Sequence, residues 1–408
     1  MGSRRIWGRL ERRLNELSQD QKKKMLILMI NMFIAIGSFG IIIPILPAYL
    51  LSIGQAGTAA GLMIAIFAGA QLIMSPIAGK WADKYGRRVM IISGLSGLAL
   101  SMFVFYFSDS IWILYLSRVI GGVGAALLIP AIFAYVADIT TMDQRAKGNS
   151  YISAAMSLGI VIGPGIGGFL ADFGLKMPLL ISAIVGVGAV LFSAVMLKES
   201  KDYTLEEPDV KPEPMMKEIA QSFNKPYFIP LVITLVMSFG LMAYESVLGL
   251  FVDNEFGATP KDIAIMVTST GIISVIIQLF AVDKVVRRFG EAGVLNIFLG
   301  VAAVGFLLSI IAPSYIMFFG VTMIIFLATS ILRPVLTTLI SKLAGNEQGF
   351  AMGMNNAYMS IGNVLGPLLA GLLFDVHILY PFILGLVVLV LTMFVSMKWK
   401  GPRGSLSK

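Results

Sequence analysis

The chain contains no cysteine. Disulfides, thiolate nucleophiles and cysteine-ligated zinc are therefore excluded. Histidine is nearly as scarce. The single one, His377, stands near Asp375 with no second histidine to complete a ligand set, so no metal is expected. Charge is scarce as well: Asp, Glu, Lys and Arg make up 13% of the residues, against about 25% in soluble proteins. So few ionic groups do not cover a chain of 408 residues with water-facing surface, and the natural solvent for the remainder is lipid. No nucleophile–base pair is legible among the apolar runs, so an enzyme is not expected. No Walker phosphate loop is present, so neither ATP nor any other cofactor is expected. The net charge is +8, but the bases lie in the gaps between apolar runs and not on one folded face, so no nucleic-acid partner is expected.

What is abundant is apolar length. Hydrophobic residues are 57% of the chain, and a helix that crosses a bilayer needs about 20 of them in a row. Twelve such runs are legible, near 26–50, 58–78, 89–107, 111–137, 150–173, 178–197, 227–252, 262–282, 293–312, 314–340, 351–374 and 380–397. None shows the alternation of a membrane barrel strand. The expected fold class is an all-α membrane protein. The first run is too long for a signal peptide and no small-residue cleavage site follows it, so it reads as a span. Ahead of it, Ile6, Leu10, Leu14 and Leu17 form one stripe among arginines. Residues 1–25 are thus read as a basic amphipathic segment on the membrane surface, with a solvated tail as the competing reading.

Twelve spans put both termini on one side. Of the 31 basic residues, Lys176 and Lys261 fall on the opposite side and Arg118 and Arg333 fall inside spans, which leaves 27 on the side of the termini. By the positive-inside bias, that side is the cytoplasm. The expected location is the bacterial inner membrane, with both termini cytoplasmic. Residues 198–226 form the one long polar interruption, rich in acids and prolines, and read as a cytoplasmic linker with a candidate short helix at 215–223. It separates a six-helix bundle at 26–197 from a second at 227–397, and a tail follows at 398–408.

The two bundles look related. Aligning 153–172 with 356–375 matches ten of twenty positions, among them Ser157 with Ser360, Gly163-Pro164 with Gly366-Pro367, Gly168 with Gly371 and Asp172 with Asp375. An internal duplication explains this, and it makes the halves pseudo-symmetric. Repeated halves with a binding site between them near the midplane are a mark of transporters.

The loop after the second run reads Gly79-Lys80-Trp81-Ala82-Asp83-Lys84-Tyr85-Gly86-Arg87-Arg88. Gly79 is expected to let a helix come close. Asp83 is expected to receive a helix N-terminus or an arginine. This string resembles the signature cytoplasmic loop of the major facilitator superfamily, which implies a role for Gly79, Asp83, Lys84, Gly86, Arg87 and Arg88 in conformational gating. The equivalent stretch from Asp283 to Gly290 is degenerate. Span five carries Gly159, Gly163, Pro164, Gly167 and Gly168, and span eleven carries Gly366 and Pro367. Small residues permit close helix packing and proline removes a backbone bond, which together make a pliable seam. The span-five string is similar to the family's antiporter motif, associated with export.

Ionisable side chains in hydrocarbon are costly and by default functional. Arg118 lies about two turns into span four, and the resemblance gives it a part in proton coupling; a structural reading has it snorkel to the interface. Glu245, well inside span seven, is the sharpest single residue. Hydrocarbon favours its neutral form, and alternating access to water lets it take up and release a proton; the competing reading pairs it structurally with Arg118 or Arg333. The expected substrate-binding set is Glu245, Arg333, Gln71, Asn31, Ser157, Tyr244, Ser330 and Asn363.

The whole chain is most similar to the twelve-helix drug:proton antiporters of Gram-positive bacteria. That resemblance implies alternating access, outward movement of small amphiphilic compounds, protons as the driving partner, and a monomer in the lipid bilayer. The group can carry an aspartate three residues before the span-ten arginine, whereas this chain has Ser330. A two-carboxylate scheme is not expected. Two alternatives keep their place: a lipid or glycolipid flippase or single-metabolite exporter of the same fold, and a membrane sensor or scaffold that transports nothing.

Overall fold

The computed structural model describes residues 18–200, 215–345 and 347–399. The stripe of Ile6, Leu10, Leu14 and Leu17, most of the linker and most of the tail lie outside the described residues. Among those described, every regular element is a helix, and twelve helices are long and apolar enough to cross a membrane. Hydrocarbon offers no partner to backbone N–H and C=O groups, so a chain this apolar must satisfy them within each helix.

Spans one to six are Gln19–Ile42, Gly57–Tyr85, Arg87–Phe107, Ile111–Ile139, Met142–Ala171 and Met177–Met196. Spans seven to twelve are Phe228–Phe256, Pro260–Phe280, Val282–Ile310, Tyr315–Ala344, Gln348–Val376 and Tyr380–Lys398. The expected first span, 26–50, is not continuous. It starts earlier and stops at Ile42; residues 43–45 form a turn, and a separate short helix covers Leu46–Ser52. Pro44 and Pro47 explain the break, since neither donates a backbone hydrogen bond. A short helix at Met215–Ser222 precedes span seven.

Contacts divide the chain into two compact units. The first holds Met1–Ile42, Ala70–Ile166 and Lys176–Glu207; the second holds Ile43–Gly69, Gly167–Leu175 and Pro208–Lys408.

In the first unit, small residues let helices touch backbone to backbone. A Cβ on Gly94 would lie 2.7 Å from the Gly124 carbonyl oxygen, where span three crosses span four. A Cβ on Gly163 would lie 2.7 Å from the Gly37 carbonyl oxygen, one on Gly159 3.0 Å from Gly37 N, and one on Gly40 2.9 Å from Pro164 Cδ. Spans one and five thus meet along the glycines read from the sequence as a seam, and span five runs as one helix through Pro164.

In the second unit, spans seven and eleven pack the same way. A Cβ on Gly362 would lie 2.5 Å from the Leu235 carbonyl oxygen, and one on Gly366 would run into the Phe239 carbonyl. Beside this seam lies an aromatic core. Tyr244 makes edge contacts with Phe306 and Phe382 and stacks on Phe318, while Phe251 joins Phe318 and Phe382.

A similar glycine turn recurs in each half, one residue out of register with the 203-residue repeat. Gly86 opens span three at φ 97°, ψ 152°, and Gly290 near the start of span nine takes φ 68°, ψ 165°. Glycine alone adopts such angles without strain.

Candidate functional site

Glu245 sits in the interior of span seven, half-buried, with its neighbours Tyr244 and Ser246 both buried. Among the described residues its carboxylate has no hydrogen bond and no ion pair within 4.0 Å. The charge that acts on it is Arg333 of span ten. Arg333 is exposed and leans on span eleven, with its guanidinium 3.6 Å from the Met359 sulfur. Glu245 is therefore not locked in a structural salt bridge. Span eleven carries another unsatisfied group: among the described residues, the buried Oδ1 of Asn363 accepts no hydrogen bond. A carboxylate without fixed partners in an apolar helix is free to exchange a proton or meet a cation.

The other expected binding residues fall into different surroundings. Tyr244 is 1% exposed and enclosed in the aromatic core, with its hydroxyl 2.7 Å from Thr322 Oγ1 and 3.5 Å from Ser309 Oγ. Asn31 is fully buried between spans one and six, where it donates to Ser193 Oγ at 2.9 Å and accepts from it at 3.1 Å. Both side chains are fully engaged in packing and present no open polar atom to a ligand. Ser330 turns its hydroxyl back to the Phe326 carbonyl at 2.6 Å. Gln71 is half-buried, and its main-chain carbonyl accepts from the Ser75 hydroxyl. Ser157 is half-buried in span five.

Arg118 is 3% exposed, so it does not snorkel to the surface. Its guanidinium lies 3.3 Å from Ser101 Oγ and 3.4 Å from Ser117 Oγ, with its Cζ 4.8 Å from the centre of the Phe105 ring. It is held between spans three and four by hydroxyls and a ring face.

The 79–88 segment is not the loop expected from the sequence: it is helical up to Tyr85 and again from Arg87, with only Gly86 between, and it forms a charge network. Asp83 pairs with Arg87 at 2.5 Å, and Arg87 reaches Asp138 at 3.3 Å. Lys84 lies over the Tyr85 ring. Arg88 donates to the Ala194 carbonyl at 2.5 Å. The close approach expected at Gly79 is not seen: among the described residues, nothing outside its own helix lies within 4 Å of where its Cβ would be. Close approach occurs at Gly86 instead, where a Cβ would lie 2.5 Å from Glu199 Oε2. Glu199 was not legible as a functional residue. It accepts the backbone N–H of Arg87 at 2.9 Å and of Arg88 at 3.1 Å, and so caps span three from across the bundle. Asp138, which also accepts from Ser200 at 2.7 Å, was missed as well. The one sequence signal for both is an acid at the charged end of an apolar run. In span five Gly167 and Gly168 are buried, and in span eleven Gly366 and Pro367 are buried.

Known proteins give this geometry its context. The family model for the Major Facilitator Superfamily matches residues 28–253 and 230–407. The chain is 42% identical over 386 residues to Multidrug resistance protein 2 of Bacillus subtilis (strain 168), which spans 93% of this chain and 96% of that protein. It is 36% identical over 359 residues to the quinolone resistance protein NorA of Staphylococcus aureus (strain Mu50 / ATCC 700699), which spans 88% and 92% respectively. Among solved structures, a bacterial homologue of the human lysosomal transporter Spinster, in an inward-facing and occupied conformation, matches with a TM-score of 0.79 at 15% identity, over 96% of this chain and 100% of that one. That likeness bears on the fold alone. Twelve apolar helices in a duplicated pattern, the 79–88 loop and these matches together make the chain a multi-pass membrane protein that belongs to the Major Facilitator Superfamily, a transporter and not an enzyme.

Proposed function

We propose that the protein exports amphiphilic compounds, drugs among them, in exchange for protons, by alternating access. The reading of the cargo draws support from the relatives, whose names record multidrug and quinolone resistance. The reading of the driving force rests on one observation: among the described residues, Glu245 lies in the interior of a span with no hydrogen-bond or ion-pair partner within 4.0 Å. A carboxyl in that position takes up a proton when its side of the protein faces acid and gives it up when the site faces the neutral interior. No cofactor is required. Both termini are placed in the cytoplasm, as the 27 bases counted above favour.

The magnitudes are sufficient. One charge moving inward across about 100 mV releases roughly 2.3 kcal/mol. That sustains a gradient of about fifty-fold in a neutral compound before any pH difference is added. The competing cation at Arg333 tempers attraction for positively charged cargo, so neutral and zwitterionic amphiphiles fit the site alongside cations.

The test is the Glu245→Gln variant in proteoliposomes with an imposed pH gradient. Drug-induced proton movement is expected to vanish while dye binding remains. Undiminished coupling in that variant would remove Glu245 from the mechanism. A set of unrelated fluorescent dyes, followed with and without an uncoupler, checks the cargo: a single-substrate carrier moves none or one of them.

A further inference from the structure

The duplication relates two helix contacts within the second unit, at the helix ends opposite the 79–88 loop. Moving 203 residues along the chain carries Asp172 onto Asp375 and Gly168 onto Gly371. It carries Ala56-Gly57-Thr58 onto Thr259-Pro260-Lys261, Ala59 onto Asp262 and Gly61 onto Ala264. The structure packs these equivalents alike. A Cβ on Gly371 would run into the Gly57 carbonyl and lie 3.1 Å from Gly61 Cα; one on Gly168 would run into Ala264 Cβ and lie 3.0 Å from the Pro260 carbonyl oxygen. Span eleven thus meets the start of span two as span five meets the start of span eight.

The two contacts differ in how the helix start is satisfied. Span eight caps itself. The Thr259 hydroxyl accepts the Asp262 N–H at 3.3 Å, the Asp262 carboxylate accepts the Thr259 N–H at 2.9 Å, and Pro260 has no N–H to satisfy. Span two has alanine at both matching positions. Ala56 is its N-cap, since its carbonyl accepts the first helical bond from Ala60, but a methyl group accepts nothing. Ala59 cannot reach back either. The open N–H groups of Gly57 and Thr58 are taken by the two carboxylate oxygens of Asp375, at 2.7 and 2.9 Å. At the other contact Asp172 finds a proline where Asp375 finds Gly57. Among the described residues it meets only the Lys261 ammonium at 3.6 Å, with side chains 52% and 57% exposed, and an ion pair so open to water is worth little.

We infer that Asp375 is a latch for this end of the transporter, and that the Asp172 contact is not. A cap lent by another helix holds only while spans two and eleven stay together. Their separation strips span two of its cap, whereas span eight keeps its own when span five leaves. The asymmetry comes from two alanines and a proline, inside an otherwise duplicated frame. The inference deepens the alternating-access reading and rests on it: Asp375 sets how much of the time this end stays shut.

Absence of cysteine makes the test direct. Nitroxides on Gln55→Cys and Val376→Cys report the close and separated forms through their dipolar broadening, in full-length protein in nanodiscs without substrate. Asp375→Ala is expected to raise the ratio of separated to close forms about five-fold, the usual effect of losing a helix cap. Asp172→Ala, read with labels at the corresponding ends of spans five and eight, is expected to change its ratio by less than about two-fold. A second variant separates latch from fold. Adding Ala56→Ser to Asp375→Ala gives span two its own cap, so thermal stability is expected to return while the ends remain apart. Equal effects of the two aspartates, or closure restored by Ala56→Ser, overturn the latch and leave the transport cycle intact. One unchanging distance in every variant overturns alternating access itself.

Discussion

The carboxylate of Glu199 accepts the backbone N–H of Arg87 at 2.9 Å, joining the end of span six to the start of span three. The same oxygen pair also receives Arg88, and Gly86 leaves just enough room for it, at a φ of 97°. Replacing Glu199 by Ala removes a cap, and a loss of about 1 kcal/mol in stability is expected. Gly86→Ala should do more harm, roughly 1–3 kcal/mol, because the new Cβ meets both a disfavoured φ and the Glu199 carboxylate. Thermal unfolding of the two variants in one detergent checks the order; an Ala at 86 that is harmless contradicts it.

Asn31 and Ser193 exchange hydrogen bonds where both are buried. Removing either partner leaves the other polar group stranded, at an expected loss of about 1–2 kcal/mol. The double replacement strands nothing. It should therefore cost less than the sum of the singles, a coupling that a double-mutant cycle on thermal stability measures.

Gly362 and Gly240 make a matched comparison. A Cβ on Gly362 would lie 2.5 Å from the Leu235 carbonyl oxygen and 2.8 Å from Phe239 N, while among the described residues nothing outside its own helix lies within 4 Å of a Cβ on Gly240. Gly362→Ala should force spans seven and eleven apart, with a loss of about 1–3 kcal/mol and slower dye efflux. Gly240→Ala should be close to neutral. Equal loss in both variants would mean that the seam is not the determinant.

Glu347 lies in the loop between spans ten and eleven, where Lys225 donates to both its oxygens at 2.8 and 2.7 Å. Those hydrogen bonds, with the charge of Lys225 and a lesser one from Tyr227, hold Glu347 below the usual carboxylate range despite some desolvation. A lowered value means that the folded form binds the proton less readily than the unfolded form. The stabilisation is therefore whole above about pH 4.3, the ordinary glutamate value, and fades as pH falls through the lowered one. Wild type and Glu347→Gln should differ in melting temperature at neutral pH and converge in acid. A difference that persists unchanged into acid contradicts the pairing.

Much of the cytoplasmic loop was legible because its partners are close in the chain. Asp83 and Arg87 are four residues apart, and the pattern of acid, base and glycine carries its own geometry. Glu199 was not legible, because its partner Arg87 stands 112 residues away and a carboxylate cap has no sequence spacing. Asn31 and Tyr244 show the converse. A polar group in an apolar run looks like a site until a hydroxyl on another helix satisfies it. Glu245 differs from both: no described residue satisfies it.

By itself, the sequence determined the solvent, the number of spans and the duplication. These follow from apolar length, from where the bases fall and from matching positions, all of which are properties of a one-dimensional string. Only the tertiary structure decided which polar groups are consumed by packing, where the first span breaks, and that Asp375 caps a helix which Asp172, its repeat partner, has no means to match. Hydrogen bonding acts over about 3 Å between helices distant in sequence, so it becomes visible only once the helices are side by side.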